Sequence, residues 1–187
     1  LGRTDRGMTF THATGANFWF FATLPILGQN FKIKQGYCMV DVDINSKRFR
    51  FISTHLDPEI ALDNQLQIWQ ILIGPANTRM NDIFVGDFNS PAAGGSRFVA
   101  YQNALAAGFL DGWSTVNPTD PGNTVGHASN LLDPPPVNFT QRIDYTLYKG
   151  NILPTSSVLF GLDPAQRTPS GLWPSDHAGV ITTFLVQ

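Results

Sequence analysis

A mixed α/β or α+β fold, with sheets inside and helices outside, is predicted by three observations. Hairpin signals stand early in the chain. A helix, a strand and a second helix follow in the middle. The remainder returns to strands. Early hairpins combined with later crossover helices argue against a purely parallel sheet. Residues 1–187 show no internal repeat and no composition break, and their length suits one domain with a real core.

The elements follow in order. Residues 1–16 lack periodicity and read as a loop. Asn17 to Leu24 is aromatic and β-prone, a strand ending at Pro25. Gly28 to Gln35 reads as a connection. From Tyr37 to Ile44, Val40, Val42 and Ile44 alternate with Asp41 and Asp43, which predicts a strand with one wet face. Cys38 falls in this pattern and is expected as a buried small hydrophobe. Asn45-Ser46-Lys47 signals a turn, and Phe49 to His55 is its hairpin partner. Asp57-Pro58-Glu59 resembles a helix start. Leu62, Leu66, Trp69 and Ile73 then fall on one apolar helical face, and Gly74-Pro75 ends it. Ile83 to Gly86 is a short buried strand. Ser96 to Ala107 is a second helix, closed by Gly108. Residues 114–139 form a long irregular connection of the kind that often makes a functional rim. Gln141 to Tyr148, Val158 to Phe160 and Val180 to Val186 are further strands.

Composition narrows the function classes. Hydrophobic residues are 42%, which fits a globular chain, and only 14% are charged. Such polar-neutral, turn-rich chains are common among exported bacterial proteins. The net charge of −2 supplies no global basic surface of the kind that drives nonspecific nucleic-acid binding. The single cysteine excludes an internal disulfide, and no apolar run is long enough to span a membrane as a helix.

Four segments place chemically competent residues at strand ends. Gly86-Asp87-Phe88-Asn89 puts a carboxylate and a carboxamide on one side while the chain stays extended. The same residues also fit an Asx turn bonded to their own backbone. His55 follows an apolar strand, where a lone histidine is more often structural than functional. Asp144, between Ile143 and Tyr145, needs a partner, and His177 is the natural one. Ser175-Asp176-His177 cannot form a serine-hydrolase relay, because neighbouring side chains diverge. Asp176 suits a hard cation, so Mg²⁺, Mn²⁺ or Ca²⁺ is expected rather than zinc. Arg142 is expected to anchor Asp144 or a loop. Trp113, Trp173 and Tyr145 are expected to pack. His127 reads as an exposed loop histidine.

In order and spacing, Thr54-His55-Leu56, Gly86-Asp87-Phe88-Asn89, Arg142-Ile143-Asp144-Tyr145 and Ser175-Asp176-His177 resemble the endonuclease/exonuclease/phosphatase superfamily. The resemblance covers about residues 36–186 and looks like the bacterial, often exported members. It implies a four-layer α-β-β-α sandwich of two mixed sheets, of which this chain would be the C-terminal two-thirds. It also implies a metal-dependent phosphoesterase, acting by in-line water attack on a nucleic acid, a phospholipid or a small phosphodiester. By resemblance, His55 and His177 contact the phosphate, Asp87 handles the water with Asn89 beside it, Asp144 holds His177, and Asp176 helps place the metal. The family's early Asn and metal-binding Glu have no counterpart here, since neither Asp5 nor Glu59 stands at a suitable strand end. An N-terminal segment or a separate chain is therefore expected to complete the fold. The rival expectation is a non-catalytic binding or scaffold domain that kept the fold, or an inactive fragment lacking the metal-binding Glu.

Overall fold

A computed structural model describes residues 7–94 and 96–187. The reading of residues 1–6, Asp5 included, lies outside them. The strands are β1 (Met8–Asn17), β2 (Ala22–Ile26), β3 (Gln29–Ile33), β4 (Gly36–Ile44), β5 (Lys47–His55), β6 (Asn81–Asp87), β7 (Leu110–Asp111), β8 (Asp144–Lys149), β9 (Ile152–Phe160) and β10 (Gly179–Val186). The helices are α1 (Ala61–Ile73), α2 (Ala100–Ala106) and α3 (Gly112–Val116).

Six strands form a mixed sheet in the order β1-β4-β5-β6-β8-β7. The β5–β6 pair is parallel and joined through α1, while its neighbours are antiparallel. Side-chain alternation then sorts the core. Ile52, Phe84 and Leu147 face α1 and α2, where they pack with Ile68, Ile71 and Ala104. Phe49, Phe51, Ile83 and Val85 face the other way, toward Phe184 and Val186 of β10. The expected second mixed sheet consists, among the described residues, of the antiparallel pair β9–β10. It covers the main sheet incompletely and leaves a trough of about 700 Å³ between Phe49, Phe51, Val85 and Ile181.

Several expectations change. Residues 8–17 are a strand, not a loop, because β1 pairs with β4 along its length. The expected strand from Asn17 to Leu24 breaks at residues 18–21. The expected connection instead folds back as the β2–β3 hairpin, with Pro25 inside it. Asp41 is buried rather than wet. Arg50 grips it with two bonds, Nε to Oδ1 at 2.7 Å and Nη2 to Oδ2 at 3.1 Å. Cys38 is exposed, because it lies on the face that β9–β10 leaves open.

Helix α1 buries a different face from the one expected. Leu62, Trp69 and Ile73 are exposed, and Asn64, Gln67, Ile68, Gln70 and Ile71 are buried. The amides are buried because they bond backbone. Asn64 Nδ2 donates to the carbonyls of Asp57 and Phe88, at 3.0 and 2.9 Å. Gln67 Oε1 accepts from Asp57 N at 2.7 Å. Hydrophobic periodicity cannot see such a face, since buried amides look polar in sequence. Asp57, expected as the N-cap, does not cap the helix: Ile60 is the N-cap, without a side-chain bond, and Asp57 Oδ1 instead accepts from Glu59 N and Ile60 N in a turn before Ala61. The second helix is shorter than expected, Ala100–Ala106.

Candidate active site at one end of the sheets

The site is built on a row of paired residues. Across the sheet, Gly36 pairs with His55, His55 with Asp87, and Asp87 with Asp144. Three functional side chains, His55, Asp87 and Asp144, thus sit on three neighbouring strands at one end, on the face toward β10. Gly86 makes the close approach possible. A Cβ there would lie 1.9 Å from Thr54 O, and its φ of +139° is a conformation that other residues rarely adopt. After Asp87 the chain turns. Phe88 enters the helix-side core, and Asn89 takes a φ of 47°. The extended alternation of Asp87 and Asn89 therefore gives way to an Asx turn, with Asn89 N donating to Asp87 Oδ1 at 2.8 Å. Asn89 Nδ2 donates to Leu56 O at 2.9 Å, which ties the loop after β6 to the loop after β5.

His177 reaches the row from the segment leading into β10. Its Nδ1 lies 2.9 Å from Asp144 Oδ2 and 3.9 Å from Asp87 Oδ2. His55 Nε2 lies 3.6 Å from Asp87 Oδ2, and its side chain is largely exposed. Asp87, Asp144 and His177 each offer one ligand atom, all within 4.8 Å of one another. Asp176 stands next to this group but outside it. It is exposed, and Ser175 Oγ donates to its Oδ1 at 3.3 Å.

Electrostatics follow from this crowding. Burial pushes the Asp87 carboxyl above the usual carboxylate range, and the charge of Asp144 adds to the effect. The Asn89 N–H and the two imidazoles offset part of it. The hydrogen bond with Asp144 raises the pKa of His177 above that of a free imidazole, with burial opposing. Two carboxylates this close are the kind of pair that a divalent cation relieves, and oxygen donors suit Mg²⁺, Mn²⁺ or Ca²⁺.

The surrounding loops hold these side chains by means that the sequence signals only weakly. Thr124 O accepts from Ala178 N at 2.8 Å, and Val125 bridges both Gln141 and His177. The long connection is thus a strap that positions His177. His127 is buried rather than exposed: its Nε2 lies 2.8 Å from Gly161 O and its ring stacks on Trp173. Arg142 anchors a loop, with Nε donating to Pro121 O at 2.8 Å and Nη2 to Ser114 Oγ at 2.9 Å. Its Nη1 pairs with Asp111, which caps α3, so its guanidinium does not hold Asp144. Trp113, Trp173 and Tyr145 are buried.

A family model described as the endonuclease/exonuclease/phosphatase family matches residues 9–177. The chain belongs to that family. The match of the endonuclease/exonuclease/phosphatase family takes in β1, which the motif spacing alone had left out. No curated protein matches the sequence significantly. Solved structures with this family's fold are similar over nearly the whole chain. TDP2 from D. rerio, solved with a single-strand DNA product, has 19% identity and a TM-score of 0.69, covering 98% of this chain and 70% of its own. A mannosyl-6-phosphatase from Bacteroides thetaiotaomicron has 16% identity and a TM-score of 0.69, covering 98% and 68%. A family protein from Leptotrichia buccalis has 19% identity and a TM-score of 0.63, covering 95% and 62%. The chain therefore spans between 62% and 70% of these three structures.

Proposed function

We propose that the protein is a metal-dependent phosphoesterase that hydrolyses phosphodiesters by in-line attack of water. The observation that carries this reading is the meeting of Asp87, Asp144 and His177 within 4.8 Å, with His55 on the adjoining strand. Asp87 orients the water and takes its proton, its carboxylate held in place by the Asn89 N–H at 2.8 Å. Asp144 fixes the orientation of His177 and favours its protonated form, so that an N–H can meet a phosphoryl oxygen. His55 approaches from the open side. Asn89 holds the two rim loops together and so fixes Asp87. The oxygen atoms of Asp87 and Asp144, with Asp176 adjacent, would hold Mg²⁺, Mn²⁺ or Ca²⁺. When bound, the cation supplies positive charge against the phosphoryl oxygens.

The partner in this reading is a phosphate ester: a nucleic acid, a phospholipid or a small phosphodiester. Strands from an N-terminal segment or from a second chain fill the trough beside β10. The support for such strands is the apolar lining of the trough and the greater length of the similar structures. No described helix is long and apolar enough to cross a membrane.

A second reading, a non-catalytic scaffold, has one observation in its favour. The only Glu of the sequence, Glu59, is not in the cluster. Hydrolysis of bis(p-nitrophenyl) phosphate by the full-length protein with Mg²⁺, Mn²⁺ or Ca²⁺ separates the two. Turnover is expected, and His177→Ala should lower kcat by on the order of 10²-fold or more. Absence of turnover with every metal would favour the scaffold.

A further inference from the structure

Residues 18–35 stand apart from the rest of the molecule in both shape and chemistry. They leave the main sheet at Asn17 and return at Gly36, two residues that pair with each other, and Gly36 pairs with His55. The excursion therefore rises from the end of the sheet that carries the candidate site. Its base is fixed. Phe18 is buried and donates its N–H to Gln35 O at 3.0 Å, Gln67 Nε2 donates to Phe20 O at 3.0 Å, and Trp19 N donates to Gln70 Oε1 at 3.1 Å. The β2–β3 hairpin above that base has its own sidedness. The register pairs Ala22 with Ile33, Leu24 with Phe31 and Ile26 with Gln29, so five apolar side chains share one face. Above the buried Ala22, Leu24, Ile26, Phe31 and Ile33 are all exposed. Leu27 is at the tip, 99% exposed, with Gly28 beside it and both at positive φ. Trp19 is 69% exposed near the base.

A soluble surface seldom gathers this much apolar area without a use for it. The charge pattern narrows the partner. Residues 18–35 contain Lys32 and Lys34 and no acidic residue, in a chain whose net charge is −2. Both ammonium groups lie over the Phe21 ring, at 5.4 and 5.6 Å from its centroid. Lys32 pairs with Thr23, three rungs up from the Ile26–Gln29 pair. At about 3.3 Å per residue, that puts its backbone roughly 10 Å above the last rung. A tip inserted to the usual depth of about 5–10 Å would bring Lys32 to the headgroup level, with Lys34 two residues farther from the tip.

We propose that the β2–β3 hairpin docks this protein onto an anionic phospholipid surface, tip first, with its lysines against lipid phosphates. The docked molecule presents the His55 end of the sheet to the headgroup layer. The further consequence, that lipid headgroup phosphodiesters are the substrate, rests on the phosphoesterase reading above.

Co-sedimentation with vesicles tests the docking. The probes are vesicles of equal parts phosphatidylglycerol and phosphatidylcholine, and vesicles of phosphatidylcholine alone. The wild type should partition to the anionic vesicles at least tenfold more strongly, and added salt should weaken the preference. Leu27→Asp, at a site with no packing to lose, should reduce partition about tenfold or more. Lys32→Glu together with Lys34→Glu should abolish the preference for anionic lipid. Hydrolysis of soluble bis(p-nitrophenyl) phosphate is measured alongside and should be unchanged by Leu27→Asp. Vesicle binding without hydrolysis would support the docking while sinking the phosphoesterase reading. A wild type that stays in the supernatant, or a Leu27→Asp protein that pellets as well as wild type, would overturn the docking. So would a hairpin-dependent dimer that ignores vesicles.

Discussion

At the scale of single residues, the candidate site depends on a few atoms held at fixed separations. The contact of 2.9 Å between Asp144 Oδ2 and His177 Nδ1 aligns the imidazole and raises its pKa. Asp144→Asn keeps the shape and removes the charge. It should lower the His177 pKa, read by NMR titration of the imidazole, and lower turnover by on the order of tenfold or more. An unchanged titration would separate the two residues electrostatically. Gly86 is the other sensitive position. A Cβ 1.9 Å from Thr54 O has nowhere to go without moving β5 away from β6. Gly86→Ala should cost about 2 kcal/mol or more in chemical denaturation, and should lower activity beyond what the lost stability explains.

At the scale of elements, loops and helices earn their place by holding the ends of strands. Arg142 is a good example, because its buried guanidinium joins the segment before β8 to Asp111, Ser114 and Pro121. Arg142→Ala leaves Asp111 buried with an uncompensated charge and should cost about 3–5 kcal/mol in stability. If any active protein remains, its KM for a soluble phosphodiester should be little changed. A large rise in KM at intact stability would return Arg142 to the substrate.

The same scale shows what could be read from the sequence. Strands β4, β5, β6, β8 and β10 were legible because apolar and aromatic residues alternate or run together there between polar flanks. Three site segments adjoin such runs at their ends, and Ser175-Asp176-His177 stands just before the run of β10. Strand β1 was not legible, because its threonines, alanines and glycine carry no period, and pairing with β4 overrides propensity. The buried face of α1 was misread because Asn64 and Gln67 hide their polarity in bonds to backbone. His127 was misread for a related reason. Its burial depends on Trp173, Asp133 and Gly161, all distant or irregular in sequence.

For the molecule as a whole, charge placement and layer coverage set the balance. At the far end of β6 from the site, Asp82 is fully buried, and neither carboxylate oxygen has a partner among the described residues. Burial pushes its pKa up to about 7, with Arg50 and Lys149 partly offsetting. An unperturbed aspartate, as in an unfolded chain, titrates at about 3.9. The folded state therefore prefers the protonated acid, and stability falls as pH rises from the unfolded value through the folded one. Asp82→Asn should leave stability at pH 3 nearly unchanged and raise it at pH 8 by on the order of 2–4 kcal/mol, measured by denaturant melts. An equal effect at both pH values would show that ionisation is not the cause.

The incomplete cover over the main sheet belongs to this scale too. The trough runs from Phe49 and Phe51 to Asp87 and Asp144, so whatever fills it ends against the candidate site. In the proposed function, side chains from three strands and the approach to β10 make one cation-binding pocket. Titration of the ¹⁵N-labelled protein with Mn²⁺ tests it directly. Amide signals of Asp87, Asn89, Asp144 and His177 should broaden first, while those of Asp82, Lys149 and Ile152 persist. Broadening centred on the exposed acid Asp163, with the Asp87 region untouched, would contradict it.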